Sequence, residues 1–380
     1  MTLKSLSVFL FLSVMFSCKD TKQVYVAEGT PVVINLDSNA AHASIVDYVD
    51  SLRVVNLETN NNSLISEAWG IQRIFYIENK IYILDGKYMS VKVFDTNGKY
   101  LYSIGKLGMG KGEFVKLDDL QYYPAHNSVM ILCNKPSKIS EFTLEGRLIG
   151  ESKLDFFSTA VAFPSTQARI YYVNQNKNEK SGNKNLLLTD SSNEVRLSGF
   201  DMPRNIKGTI KFSGGLFSIE DSIYFNPAFS NTYYIINNDT VRPAFRVDYG
   251  VKNIPVDIKE DALLGNLVKY SFQYNAFVKT KEYVGFTYLD GKVSTAFYNL
   301  HSSKVLTSDV KKDSLNMLFR NLVFSNGKDY IMLLDTRRMA DFLKRNFEHI
   351  KDRFPDIMTQ IKHIEANQNP SLLVFKLKSS

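Results

Sequence analysis

Between Ile81 and Phe114, apolar and polar positions alternate with period two. Ile81 and Ile83, then Val91 and Val93, fall on one side of successive short segments, the pattern of strands with one buried face. Asp85-Gly86 ends one strand, and Asn97-Gly98 joins the next two as a tight hairpin, because both central residues of that turn need positive φ. After Ile104 comes a connector carrying Gly105, Gly108, Gly110 and Gly112, and a new strand begins near Leu117. Shifted by 48 positions, the unit returns: Ile83-Leu84-Asp85 becomes Ile131-Leu132-Cys133, and Asn97-Gly98 becomes Glu145-Gly146.

Weaker echoes follow at Ile170-Tyr171-Tyr172, Ile223-Tyr224-Phe225, Tyr283 to Phe286 and Tyr330 to Asp335. Their spacing of roughly 40 to 60 residues is that of four-stranded propeller blades. The pattern predicts an all-β, six-bladed β-propeller, an architecture that protects sheet edges by radial packing. Segment 52–57 alternates too, but its three companion strands are missing from the N-terminal region. It is therefore expected to close the ring beside 372–377, at the end of the last unit. Within that unit Met339, Leu343, Phe347, Ile350, Phe354, Met358 and Ile361 recur at three to four residues, which predicts a helical insert over about 338–367, broken at Pro355.

The N-terminus reads differently. Lys4 followed by the apolar run Leu6 to Phe16 has the form of a signal peptide, 1–17, too short to span a bilayer. Met15-Phe16-Ser17-Cys18 resembles a lipobox, which implies acylation of Cys18 and a lipidated tether, 18–46, leading into a propeller domain, 47–380. With Cys18 so used, Cys133 is left alone and no intrachain disulfide can form. The net charge of +7 is spread along the chain; it reads as solubility, and nucleic acid is not an expected partner.

The segment Val55 to Thr59, the ILD and VFDTNGKYL strings, the GMGKGEF connector and the terminal NPSLLVFKLK together resemble the six-bladed propeller lipoproteins with NHL-like repeats of Gram-negative bacteria. The resemblance reaches from near residue 50 to the C-terminus. It implies the propeller fold and a cell-envelope location, lipid-anchored at the outer membrane with surface exposure as one orientation, and with the lipid as the only membrane anchor. It carries over no catalytic motif, and a widespread fold does not by itself imply an activity.

Candidate chemistry is sparse. Gly105 to Lys111 has the spacing of a phosphate-binding loop, but Gly112 follows where Ser or Thr would bind magnesium, and a strand follows where a helix should. The five histidines, His42, His126, His301, His349 and His363, show no zinc-ligand spacing. No G-x-S-x-G elbow occurs. Asp118 and Asp119 are adjacent in a strand, so they point to opposite faces and cannot act as one acid/base pair. Most of the 26 Phe and 21 Tyr alternate within strands and read as packing between blades; Tyr88 and Trp69 lie in loops. No catalytic residue, metal or cofactor is expected.

In a meander blade, the loop between the second and third strands emerges at the same end of the ring as the connection to the next blade. Asp85, Lys87, Tyr88 and Glu113 are thus expected on one rim with Arg337 and Arg338 of the insert, which would form a partial lid. The sequence points to a non-catalytic envelope lipoprotein binding a glycan, a peptide or an envelope protein on that face. The alternative is a propeller lyase or lactonase with a metal in the central channel.

Overall fold

The computed structural model describes residues 22–379 except 38–39, 67–70, 178–179, 203–212, 256–257, 259–262 and 363. Cys18, Trp69 and His363 lie outside the described residues. The chain forms the six-bladed propeller that its periodicity predicts, with a helical insertion in the last blade.

Blade 1 is the meander Ile71–Ile77, Lys80–Asp85, Ser90–Asp95 and Tyr100–Ile104. Its last hairpin turns on Gly98, whose φ of 88° suits glycine. A Cβ there would also stand 2.2 Å from the carbonyl oxygen of Asn56, so the same residue lets blade 6 approach blade 1. The other blades repeat the meander, with inner strands Lys116–Tyr123, Ala160–Ser165, Gly215–Ile219, Phe272–Lys279 and Leu322–Ser325 for blades 2 to 6.

Ring closure pairs the segments expected to meet. Ser371–Leu377 lies between Tyr330–Leu334 and the N-terminal strand Val49–Asn56, with Leu372 opposite Val55 and Phe375 opposite Leu52. Blade 6 thus takes three strands from one end of the chain and its outer strand from the other.

The segment expected to be a tether is built into the fold from Lys22 onward. Lys22–Gln23 pairs in parallel with the outer strand of blade 3, Val195–Asp201. Tyr25–Val26 and Val32–Asn35 pair with that of blade 4, Thr240–Asp248, and Ala43–Ser44 with that of blade 5, Val305–Thr307. This strap buries Val24 in the core of blades 3 and 4, Ile34 and Leu36 in that of blades 4 and 5, and Ile45 and Val46 in that of blades 5 and 6. Its polar composition hid this role, because these few apolar anchors are enough when the partner strands supply the hydrogen bonds.

The insert comprises α1, Thr336–Arg345, α2, Phe347–Arg353, and, after a 3-10 turn at Pro355–Ile357, α3, Met358–Ile361. Asp335 caps α1 by accepting from the N–H of Arg337 at 3.2 Å. Met339, Leu343, Ile350, Met358 and Ile361 are buried against Val46, Val49, Val54, Leu318 and Phe319. The apolar stripe is therefore covered by the ring itself. The insert lies along the outer strand of blade 6, where the Asn56 amide donates to the Gln360 carbonyl at 3.0 Å and Arg353 pairs with Asp47 at 2.7 Å.

Candidate functional site

Inner strands of a propeller run along the axis, and the residues near their C-terminal ends face one another across it. Here all six enclose a cavity of about 620 Å³, within the roughly 300–1,000 Å³ range of small-molecule sites. Its lining includes turns between first and second strands, namely Pro124-Ala125, Glu220-Asp221 and Asn326-Gly327, so the mouth opens at that end of the ring.

Aromatic pairs bridge alternate seams between blades around the cavity. Phe324 of blade 6 meets Phe75 of blade 1 at 5.5 Å between ring centroids, Tyr123 meets Phe163 across blades 2 and 3 at 5.1 Å, and Phe217 meets Phe277 across blades 4 and 5 at 5.8 Å. Phe163, Phe324, Tyr76 and Tyr122 remain half-buried and offer ring area to the cavity, while Ser165, Ser218, Asn275 and Ser325 offer neutral polar groups.

A charged pair lies deeper. The guanidinium of Arg73 in blade 1 donates from Nε to Asp119 Oδ1 of blade 2 at 3.0 Å, with Nη2 at 2.8 Å from the same oxygen. Nη2 also reaches the Leu216 carbonyl of blade 4 at 3.4 Å. Blades 1 and 4 are opposite members of a six-membered ring, so this side chain spans the axis. Asp119 is saturated: Oδ1 also accepts from the Leu120 N–H, while Oδ2 accepts from Gln121 Nε2 at 3.1 Å and the Val161 N–H of blade 3 at 3.0 Å. Arg73 and Gln121 line the cavity, and Asp119 sits behind them, its side chain only 3% exposed.

The six rim residues read from the sequence lie outside this cavity. Asp85 is buried and holds its own turn, accepting from the N–H groups of Ser66, Lys87 and Tyr88 at 2.6, 2.8 and 3.0 Å. Glu113 closes the glycine connector by accepting from the Gly110 N–H at 2.8 Å and pairing with Lys106 at 3.0 Å. The Gly110 N–H and then Lys106 hold its carboxyl below the usual range. Lys87, Tyr88 and Arg337 do come together around a hollow of about 120 Å³ between blade 1 and the insert. Arg338 is outside that lining and lies 3.6 Å from Asp335. None of the six lines the axial cavity.

Sequence reasoning missed Arg73, although a cationic residue within the apolar strand Ile71–Ile77 was a legible signal. It did separate Asp118 from Asp119. Asp118 turns to the Asn134 amide at 2.8 Å and Lys116 at 3.2 Å, whereas Asp119 turns to the axis. Among the described residues, no three His, Cys, Asp or Glu side chains gather as a metal-ligand set, and no helix is long and apolar enough to cross a membrane.

The family described as a domain of unknown function, DUF4934, matches residues 31–376, a span that includes most of the strap, all six blades and the insert. The chain belongs to the DUF4934 family. No curated protein matches the sequence of this DUF4934 member. Its fold is similar to that of an inferred exported protein from Bacteroides fragilis NCTC 9343, with a TM-score of 0.74 at 16% identity over 92% of this chain and 100% of that one. It is also similar to a member of the DUF4221 family from Bacteroides vulgatus ATCC 8482, with a TM-score of 0.51 at 9% identity over 87% and 97% of the two chains. At such identities, the likeness of this DUF4934 chain to both is one of fold.

Proposed function

We propose that this DUF4934 protein is an exported, lipid-anchored envelope protein that captures the end of a glycan in its axial cavity, without catalysis. The observation that carries the reading is the lining itself. Half-buried aromatic rings share a mouth open to solvent with hydroxyl and amide groups and with the charged Arg73, Glu220, Asp221 and Lys279, a mixture that suits sugars with their apolar faces and hydrogen-bonding hydroxyl edges. Asp119, the carboxylate behind the cavity floor, already accepts from Arg73, Gln121 and two main-chain N–H groups, and has no lone pair left to serve as a general base. The lipobox-like Met15 to Cys18 supports export and anchoring, and the fold shared with an inferred exported protein is in keeping with export alone.

Titration of the mature protein with a panel of neutral and acidic oligosaccharides, by calorimetry, should find at least one that binds. Ser218 lines the mouth with an exposed side chain. Ser218→Trp should fill the entrance and weaken that binding at least tenfold, while stability stays within about 0.5 kcal/mol, as for surface changes generally. Tyr88→Ala, at the other end of the ring, should leave it unchanged. If no oligosaccharide binds, or if Ser218→Trp binds as the parent does, the cavity is not the site.

A further inference from the structure

The strap carries an apolar surface that the ring does not cover. Tyr25, Val26, Val32 and Val33 are 66%, 47%, 42% and 52% exposed, and all four lie on the outer edge of blade 4. Exposed Arg242 and Arg246 stand in the outer strand beside them, with Lys22 at one end and Glu28, Asp37, Asp239 and Asp248 as nearby acidic residues. Bulky apolar groups, a tyrosine and cations side by side are the composition of a surface that rests at a bilayer interface.

Chain length decides what covers this edge. Lys22 is fixed against Leu197 of blade 3, and only residues 19–21 separate it from Cys18. Four residue steps reach at most about 14 Å when fully extended, so an acyl chain on Cys18 cannot leave the ring dangling at a distance. It must bring the edge of blades 3 and 4 to the membrane, and Tyr25, Val26, Val32 and Val33 are the exposed apolar groups that meet it there.

We infer that the propeller stands edge-on, its blade 4 edge docked on the lipid surface through these strap residues. The inference rests on the lipid anchor of the proposed function. Edge-on seating leaves both ends of the ring, including the mouth of the axial cavity, open to the surroundings.

The test uses full-length protein purified from envelope membranes and reconstituted into vesicles of phosphatidylethanolamine and phosphatidylglycerol. Intact mass reports acylation of Cys18 independently of docking. Acylated Cys18 cannot react with a thiol probe and Cys133 is buried, so an environment-sensitive fluorophore can be placed singly by Val33→Cys or, if that variant folds poorly, by Tyr25→Cys. The control is Met109→Cys, in the exposed connector between blades 1 and 2, across the ring from blade 4. The probe at 33 or 25 should shift to the blue and be quenched by nitroxide lipids at least twofold more than the probe at 109. Equal quenching at both positions in an acylated protein overturns the docking and leaves the anchor standing. A blue shift at 33 without lipid quenching assigns the edge to contact with a second copy of this chain and overturns the docking as well. An unacylated Cys18 overturns both.

Discussion

Removal of Leu372 to Ser380 is expected to leave a chain that no longer unfolds as one cooperative unit. Ser371–Leu377 is hydrogen-bonded on both sides, to Tyr330–Leu334 and to Val49–Asn56, so its loss frees two neighbours and opens the ring. Leu372, Leu373, Val374 and Phe375 are at most 3% exposed. At about 1.5–3 kcal/mol for each buried side chain, their loss approaches the whole net stability of an ordinary domain, about 5–15 kcal/mol. The opened blade would also expose unpaired strand edges. Calorimetry of the truncated chain should show no sharp transition; a melt matching that of the full chain would mean that the closure contributes little.

Asp119→Ala should cost about 3–5 kcal/mol, the usual consequence of removing one partner of a buried ion pair. The variant strands the Arg73 guanidinium at the axis and also leaves the Val161 N–H and the Gln121 amide without their acceptor. Blades 1, 2 and 3 are joined through this one carboxylate. Replacing both members, Arg73→Met with Asp119→Leu, should recover only the part of the loss that comes from the stranded guanidinium, because an apolar pair of similar volume has no charge to desolvate while the Val161 N–H and the Gln121 amide still lack their acceptor. Urea denaturation of parent, single and double variants gives the comparison directly. A single variant as stable as the parent would show that the pair is not what ties the inner strands together.

The ring could be read from the sequence because its signals are local. Period two, the Asn97-Gly98 hairpin and the repeat of 48 each concern residues within one blade, and the closure followed from a strand with no companions nearby. The strap could not be read this way, since Val32–Asn35 pairs with Phe245 to Asp248, more than two hundred positions away, and contains no turn or spacing that points there. The axial cavity was hidden for a related reason. Phe75, Tyr123, Phe163, Phe217, Phe277 and Phe324 each look like packing in their own strand, and they do pack across seams; only the ring brings them to one mouth. Asp85 and Glu113 were conspicuous as charged loop residues, but each satisfies the main-chain N–H groups of its own turn.

The strap also sets a timetable for folding. Its segments at 22–23, 25–26, 32–35, 43–44 and 49–56 wait for partners at 197–198, 240–241, 245–248, 306–307 and 371–377, in that order. A chain delivered N-terminus first, from a ribosome or through a membrane channel, thus carries an unpaired strap for most of its synthesis and zips it from blade to blade as each outer strand arrives. Contacts of such long sequence separation form slowly, and the last of them needs nearly the whole chain. Nascent chains arrested before residue 371 should therefore remain protease-sensitive at residues 49–56 while blades 1 and 2, whose strands are all local, already resist cleavage.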